Sequence, residues 1–390
     1  MPSKSKTHIP AVRVGVLGVI TIAVYGSWYY TFGVLLDPII EETGWSEPVL
    51  TSGFAASILI GGVGSLGGGW LLDRFGSRVV FALASLIGLV AFQIAAGSNS
   101  QVLFAVAGAV GGGAIGALGF YHVTQTTAVR ISPNATDKAI AVLTIWGAFA
   151  SAIYMPLAAV LVGPVGWRVT LRVLTLSAVL ALVIGAITIN TKTDQMPRGY
   201  LVLGELRESL RSVRARRFIA AQGLAGIGVS VILVYQVPAM TAAGLSLAAA
   251  SFWAGFRGFS QLGGRLPLMP LVARLGVVNS LRLAYAAISV GTIVLAFAGT
   301  PLFAAIYAIT AGFGIGATSP LVGMHAREVF GTVSLGTSMG LISLVFLVIG
   351  SIGPAAAGWI SAATGSRSVP VMAAAVVTLG AVAMIKSPKR

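Results

Sequence analysis

The chain is 390 residues long, 56% hydrophobic and only 9% charged, with 50 glycines and a mean hydropathy of +0.94; soluble domains are nearer ~25% charged, so a water-soluble globular protein is excluded. Lys and Arg exceed Asp and Glu by 25 to 10, a formal net charge of +15, which in a soluble chain would point to nucleic acid; where those charges sit decides whether it does. Cysteine is absent, which excludes disulfides, thiolate metal sites and a Cys nucleophile, and His8, His122 and His325 lie too far apart in sequence to suggest a histidine metal site.

The N-terminus is polar and basic (Lys4, Lys6, His8, Arg13) and then apolar from Ala11 to Leu36. That run is too long for a signal-peptide core and has no convincing cleavage site before Asp37-Pro38, so it reads as a retained first membrane span. About 20 residues cross the hydrocarbon, and further apolar segments follow at 47–72, 78–97, 101–129, 138–163, 167–190, 218–242, 247–272, 280–299, 301–325, 333–360 and 368–386, twelve spans in all. Their all-round hydrophobicity lacks the alternation of barrel strands, so each is predicted to be a helix.

The long polar stretch from Thr191 to Arg217 contains Lys192, Arg198, Arg207, Arg211, Arg214, Arg216 and Arg217. It divides the chain into an N-terminal six-helix bundle (1–190), a basic cytoplasmic linker (191–217) and a C-terminal six-helix bundle (218–390). Leu201, Leu203, Leu206, Leu210 and Val213 recur at mostly helical spacing within it, compatible with an amphipathic helix on anionic headgroups or with a plain topology-setting linker.

With the N-terminus cytoplasmic, the outward turns contain Arg168, Arg172 and Arg367 and no other basic residue, Arg257 falls inside a span, and the remaining Lys and Arg are cytoplasmic. Asp37, Glu41, Glu42 and Glu47 cluster in the first outward loop. This is a strong positive-inside bias, so the +15 reports topology and no nucleic-acid partner is expected. Short loops and compact termini suggest a cell inner membrane, with both termini cytoplasmic.

The two halves repeat. Ala114-Ile115-Gly116-Ala117 in span 4 matches Gly314-Ile315-Gly316-Ala317 in span 10 at an offset of 200, Leu72–Gly76 has a degraded counterpart in Val272–Gly276 at the same offset, and Pro156 in span 5 corresponds to Pro354 in span 11. The implied architecture is an all-α integral membrane protein of twelve transmembrane helices in two pseudo-symmetric six-helix bundles with a cavity between them.

Gly69-Trp70-Leu71-Leu72-Asp73-Arg74-Phe75-Gly76-Ser77-Arg78, in the loop after span 2, resembles the signature loop of the major facilitator superfamily. Gly69 is expected to let helices approach closely, Gly76 to permit a tight turn, and Asp73 with Arg74 and Arg78 to form a charge cluster near a neighbouring helix end. The resemblance implies a loop that stabilises the state closed to the cytoplasm. The second copy has Ala273 and Val278 in place of Asp73 and Arg78, so the full cluster is expected in the N-terminal half alone.

The passage Thr31–Ser46 (TFGVLLDPIIEETGWS) is similar to the monocarboxylate transporter and oxalate/formate antiporter branch. That resemblance implies a basic residue in the eighth span contacting a substrate carboxylate, and Arg257 occupies that span. It departs at Trp253, four residues earlier, where eukaryotic monocarboxylate carriers bear an acid for proton coupling. A substrate-borne proton, exchange against a counter-anion, or titration of His122 are the couplings left.

Ten residues from the start of its span, at ~1.5 Å each, Arg257 is roughly 15 Å deep in a core ~30 Å thick. Asp37, Asp73, Asp137 and Glu328 all lie at span ends, so no acid at that depth is available to pair with it. An arginine there either faces a cavity, ready to hold an anion by a bidentate bond, or is satisfied structurally by carbonyls and water. Gln261, one turn on, shares its face, and Gln236 is a second amide at membrane depth. In span 4, Tyr121, His122 and Gln125 can line the same cavity. Tyr25, Trp28, Tyr29, Trp146, Tyr154, Tyr235 and Trp253 are candidates for its walls or gates.

Glycine clusters at 61–62, 67–69 and 111–113 sit inside apolar helices with no following Lys-Ser or Lys-Thr, so helix packing is expected there and neither a nucleotide nor a cofactor site. Gly116–Pro133 and Gly350–Pro354 are expected bending points. No set of nucleophile, base and metal ligand lies at one depth, which argues against an enzyme. The reading is a secondary active transporter of a small organic anion (a monocarboxylate or dicarboxylate) working by alternating access in the lipid bilayer; the alternative is an efflux carrier for a hydrophobic or amphipathic compound.

Overall fold

The computed structural model describes residues 10–191, 212–330 and 335–385; the amphipathic stretch 201–210 of the basic linker lies outside them. Among the described residues, nine helices are long and apolar enough to cross a membrane. One of them, Thr136–Thr188, is two spans in sequence, because Gly166 turns the chain at φ 73°, ψ 167°. Two more helices complete the set: the shorter apolar Ser368–Met384, and Leu247–Arg265, which carries Arg257, Gln261 and Arg265. We number the spans α1 (Ala11–Thr43), α2 (Glu47–Phe75), α3 (Ser77–Gly97), α4 (Gln101–Ile131), α5 (136–165), α6 (167–188), α7 (Val213–Ala242), α8 (Leu247–Arg265, continued over 268–275), α9 (277–295, after the turn at Gly276), α10 (Pro301–Phe330), α11 (Leu335–Gly350, continued as Ile352–Thr364) and α12 (Ser368–Met384).

Several boundaries depart from the expected ones for local reasons. Pro38 does not end α1; the helix runs through it to Thr43, where Gly44 caps it at φ 67°, so Asp37 is a helix residue. The eighth span is interrupted at Pro267, which has no N–H to continue the ladder, and it resumes over 268–275 before the chain turns at Gly276. α4 breaks at Phe120, which is extended (φ −74°, ψ −179°), and α11 is interrupted at Ser351; both breaks fall within the expected bending regions. α1 is wound as a π-helix over Tyr25–Tyr30.

The packing within the halves follows the repeat. α2 lies against α4 as α8 lies against α10; α3 lies against α4 as α9 does against α10; α1 packs on the α5–α6 hairpin and α7 on α11 and α12. Gly116 abuts Gly61 of α2, and Gly316 meets the Gln261 backbone of α8, so the matched sequences make equivalent close crossings. Gly76 (φ 81°, ψ 172°) and Gly276 (φ 76°, ψ 163°) turn the chain identically, a conformation that costs any residue with a Cβ. The halves meet along α5–α8, α2–α11 and α1–α7.

The loop after α2 is braced within its own half. Asp73 forms an ion pair with Arg130 at the end of α4, whose Nη1 also donates to the Leu72 carbonyl at 3.1 Å. Arg78 Nε donates to the Ala186 carbonyl at the end of α6, 3.1 Å. Arg74 lies over the rings of Trp70 and Phe75. Arg130 is thus a partner of Asp73 that the local motif did not reveal. Arg78 has a structural counterpart in the second half: Arg282, one turn beyond Val278, donates to the Ile385 carbonyl at the end of α12, 2.8 Å. Gly69 is not a packing glycine, since a Cβ there meets nothing within 4 Å; its neighbour Gly68 is the one pressed against the Ala117 carbonyl of α4.

Candidate functional site: a cavity between the halves

Between the two halves lies a cavity of about 600 Å³. It takes lining residues from the middle of α1 (Tyr25, Tyr29, Tyr30), from α2 between Ile58 and Gly69, from the break in α4 (Phe120, Tyr121, His122), and from α7, α8, α10 and α11. These positions run from mid-helix toward the end of the molecule that bears the α2–α3 turn. Among the described residues that line it, none is acidic.

Arg257 comes from α8 with its side chain 1% exposed. Its Nε donates to Gln236 Oε1 at 2.9 Å, and the same oxygen accepts from the Tyr307 hydroxyl at 2.9 Å. Gln236 and Tyr307 therefore fix the guanidinium by one edge. Its Nη2, although buried, has no hydrogen-bond partner. An unmade hydrogen bond on a buried donor costs about 1–3 kcal/mol, more for a charged group, and Arg257 is among the residues that line the cavity. Gln261 lines the cavity one turn further along α8.

The same cavity is lined by a wall of rings. Winding with i→i+5 periodicity brings Tyr25 and Tyr30 onto one face, with Tyr29 beside them; both the N–H and the hydroxyl of Thr31 return to the Gly26 carbonyl and hold the turn. Tyr25 stacks on Phe120 with centroids 3.9 Å apart at 7°, Tyr29 meets Phe120 at 4.8 Å and Tyr25 meets Tyr121 at 5.3 Å. The break in α4 is what turns Phe120 into this cluster. The Tyr29 hydroxyl donates to the Gly112 carbonyl at 3.0 Å, in a space that a Cβ at Gly116 would invade, at 2.6 Å from that oxygen. His122 Nε2 is 2.7 Å from the Ala117 carbonyl, which only an Nε2–H can satisfy.

Of the residues singled out from sequence, Arg257, Gln261, Tyr25, Tyr29, Tyr121 and His122 are brought together at this cavity, as is Gly69. Trp28, Gln125, Tyr235, Gln236 and Trp253 are not among its lining. Trp28 is inside the N-terminal half, where Nε1 donates to Ser57 Oγ at 3.0 Å and its ring packs on Phe32, Phe54 and Phe92. Gln236 is fully buried and acts on Arg257. Trp253 packs on Phe252 and Phe256. Gln125 is half-buried in α4. Tyr30, Phe120, Met339, Ser343 and Phe346 were not anticipated; the run of Tyr29-Tyr30 and the Phe120-Tyr121 pair beside glycine are the signals that pointed to some of them.

Tyr235 belongs to a second cluster, at the opposite end of the molecule. Its hydroxyl donates to Glu47 Oε1 at 2.5 Å. Arg367 forms ion pairs with Glu47 and, at 2.7 Å, with Asp37. Ser361 Oγ donates to Glu47 Oε2 at 3.2 Å and Thr241 Oγ1 to Asp37 Oδ2 at 3.3 Å. Asp37 and Glu47 come from the first half, the other four from the second, so the cluster ties the halves together above the cavity.

A profile of the Major Facilitator Superfamily matches residues 17–322. The chain belongs to this superfamily. Its members' fold recurs in the solved structures: a variant of the nucleoside transporter NupG superposes with a TM-score of 0.83 at 14% identity, over 96% of this chain and 99% of that one. A POT family transporter crystallised with a thioalcohol-conjugated peptide gives 0.74 at 12% identity over 95% of each chain. A D-xylose-proton symporter gives 0.67 at 16% identity, over 94% and 97%. No match is found among curated proteins. The protein is a multi-pass membrane transporter of the secondary kind and not an enzyme.

Proposed function

We propose that this transporter moves an organic anion across the cytoplasmic membrane by alternating access, with Arg257 holding the anion. The observation that carries the reading is the Arg257 guanidinium: buried at the cavity, fixed along one edge by Gln236, with an unpartnered Nη2 and no acidic residue among the described lining. A carboxylate can take that N–H in a charge-assisted bond. The passage 31–46 and the place of Arg257 in the eighth span support kinship with the monocarboxylate transporter and oxalate/formate antiporter branch. The positive-inside bias supports cytoplasmic termini, which makes the end bearing the α2–α3 turn cytoplasmic and the described state inward-facing. Protons or a counter-anion are the proposed coupling partners.

Export of a hydrophobic or amphipathic compound is the second reading, favoured by the aromatic wall. Uptake of labelled lactate, pyruvate, oxalate and benzoate into proteoliposomes separates the two. Arg257→Ala is expected to lower flux of the transported anion at least about tenfold, as loss of one charge-assisted bond implies. Normal anion flux in Arg257→Ala, or none with the wild type, sinks the anion reading.

A further inference from the structure

The anchor accounts for a carboxylate; it does not account for the rest of the cavity. At about 600 Å³ the space falls within the range of about 300–1,000 Å³ that buries drug-sized ligands, far more than a two- or three-carbon acid displaces. A lactate or oxalate on Arg257 would leave the tyrosine wall wetted and its apolar area unused.

The wall is also specific in shape. Tyr25 and Phe120 are nearly parallel at 3.9 Å, with Tyr29 and Tyr121 set against them, and all four residues line the cavity. Flat π-systems gain from offset and edge-to-face contacts that a saturated body of equal size does not make. A rigid planar ligand also surrenders less rotational freedom on binding than a flexible acyl chain. From the second half, Met339 and Phe346 supply further apolar surface, and methionine sulfur favours ring edges.

We infer that the substrate is a planar aromatic monocarboxylate, its carboxylate on Arg257 Nη2 and its ring against Tyr25, Tyr29 and Phe120. This rests on the anion reading of the same cavity. It recasts the substrate from a small aliphatic acid to an amphipathic one, and it takes up the aromatic lining that otherwise favours the efflux alternative.

Calorimetric titration of the purified full-length protein with four probes tests it: indole-3-acetate, cyclohexylacetate, acetate and the neutral indole-3-acetamide. Indole-3-acetate is expected to bind at least about tenfold tighter than acetate and about threefold tighter than cyclohexylacetate. It should also exceed its own amide at least about tenfold. Phe120→Leu, with Tyr25→Leu as a second variant should the first fail to fold, is expected to erase the preference for indole-3-acetate over cyclohexylacetate and to leave the acid-over-amide ratio intact. Arg257→Gln is expected to do the reverse. Acetate or cyclohexylacetate binding as tightly as indole-3-acetate overturns the aromatic proposal and leaves the anion reading standing. Acid and amide binding alike overturns the anion reading, and no binding by any probe overturns both.

Discussion

At one end of the molecule Arg367 joins Asp37 and Glu47 across the two halves, with Tyr235, Thr241 and Ser361 completing the contact. At the other end Asp73 pairs with Arg130 inside the first half, and Glu328 with Arg214 and His325 inside the second. Among the described hydrogen bonds there, Arg265 Nη1 to the Thr144 carbonyl, 3.0 Å, crosses between the halves, along the α5–α8 seam. Charges of the same kinds thus do different work. Those within a half brace its turns and move with it, whereas those across the halves favour one arrangement of the two over another. The cavity extends toward the end where the crossing ties are few.

The contrast breaks most readily at Arg367. Arg367→Ala leaves Asp37 and Glu47, whose side chains are only 27% and 12% exposed, without the cation between them. Removing one member of a partly buried cluster is strongly unfavourable to the state that contains it. Because the chain has no cysteine, spin labels can be placed at Glu41→Cys and Ala243→Cys, one on each half. Their distance distribution is expected to shift to a longer, open population, by at least about tenfold in ratio, corresponding to ~1.4 kcal/mol. An unchanged distribution would remove the cluster's assigned role. Asp73→Asn sharpens the comparison from the other side. It breaks the pair with Arg130 within one half, so the same label distance should shift far less than in Arg367→Ala, while thermal stability falls by about 1–3 kcal/mol, because Arg130, about as buried as Arg367, loses a charge-assisted partner. The smallest effect is expected at Gly69→Ala, within about 0.5 kcal/mol of wild type, because the added Cβ meets open space; a large loss of stability there would show that this part of α2 is packed after all.

What the sequence disclosed follows from which interactions are local. Span number, helical type and the duplication are written in hydropathy and in short repeats such as those at Gly116 and Gly316, and a turn that requires positive φ shows itself as Gly76 and Gly276. Arg257 was legible because a charge at membrane depth stands out against so few others. Its holder was not: the Gln236 bond spans 21 residues and the Tyr307 contact with Gln236 spans 71, so Gln236 read as a ligand contact of its own. The closing cluster was hidden in the same way. Asp37, Glu47 and Arg367 each served as a topology marker, and their convergence depends on α1 continuing through Pro38 and on a pairing 330 residues apart in sequence. The π-helical turn that aligns Tyr25 with Tyr30 has no periodic signature in six residues.

The most direct test of the account is the reactivity of one introduced thiol in the cavity. Ser343 lines it from α11 and is exposed. In Ser343→Cys, a membrane-impermeant maleimide is expected to react from the side bearing the α2–α3 turn. Indole-3-acetate or lactate, applied in turn, is expected to slow that reaction, and adding Arg257→Gln is expected to abolish the protection. Protection that persists without Arg257, or faster reaction from the Arg367 side, would contradict it.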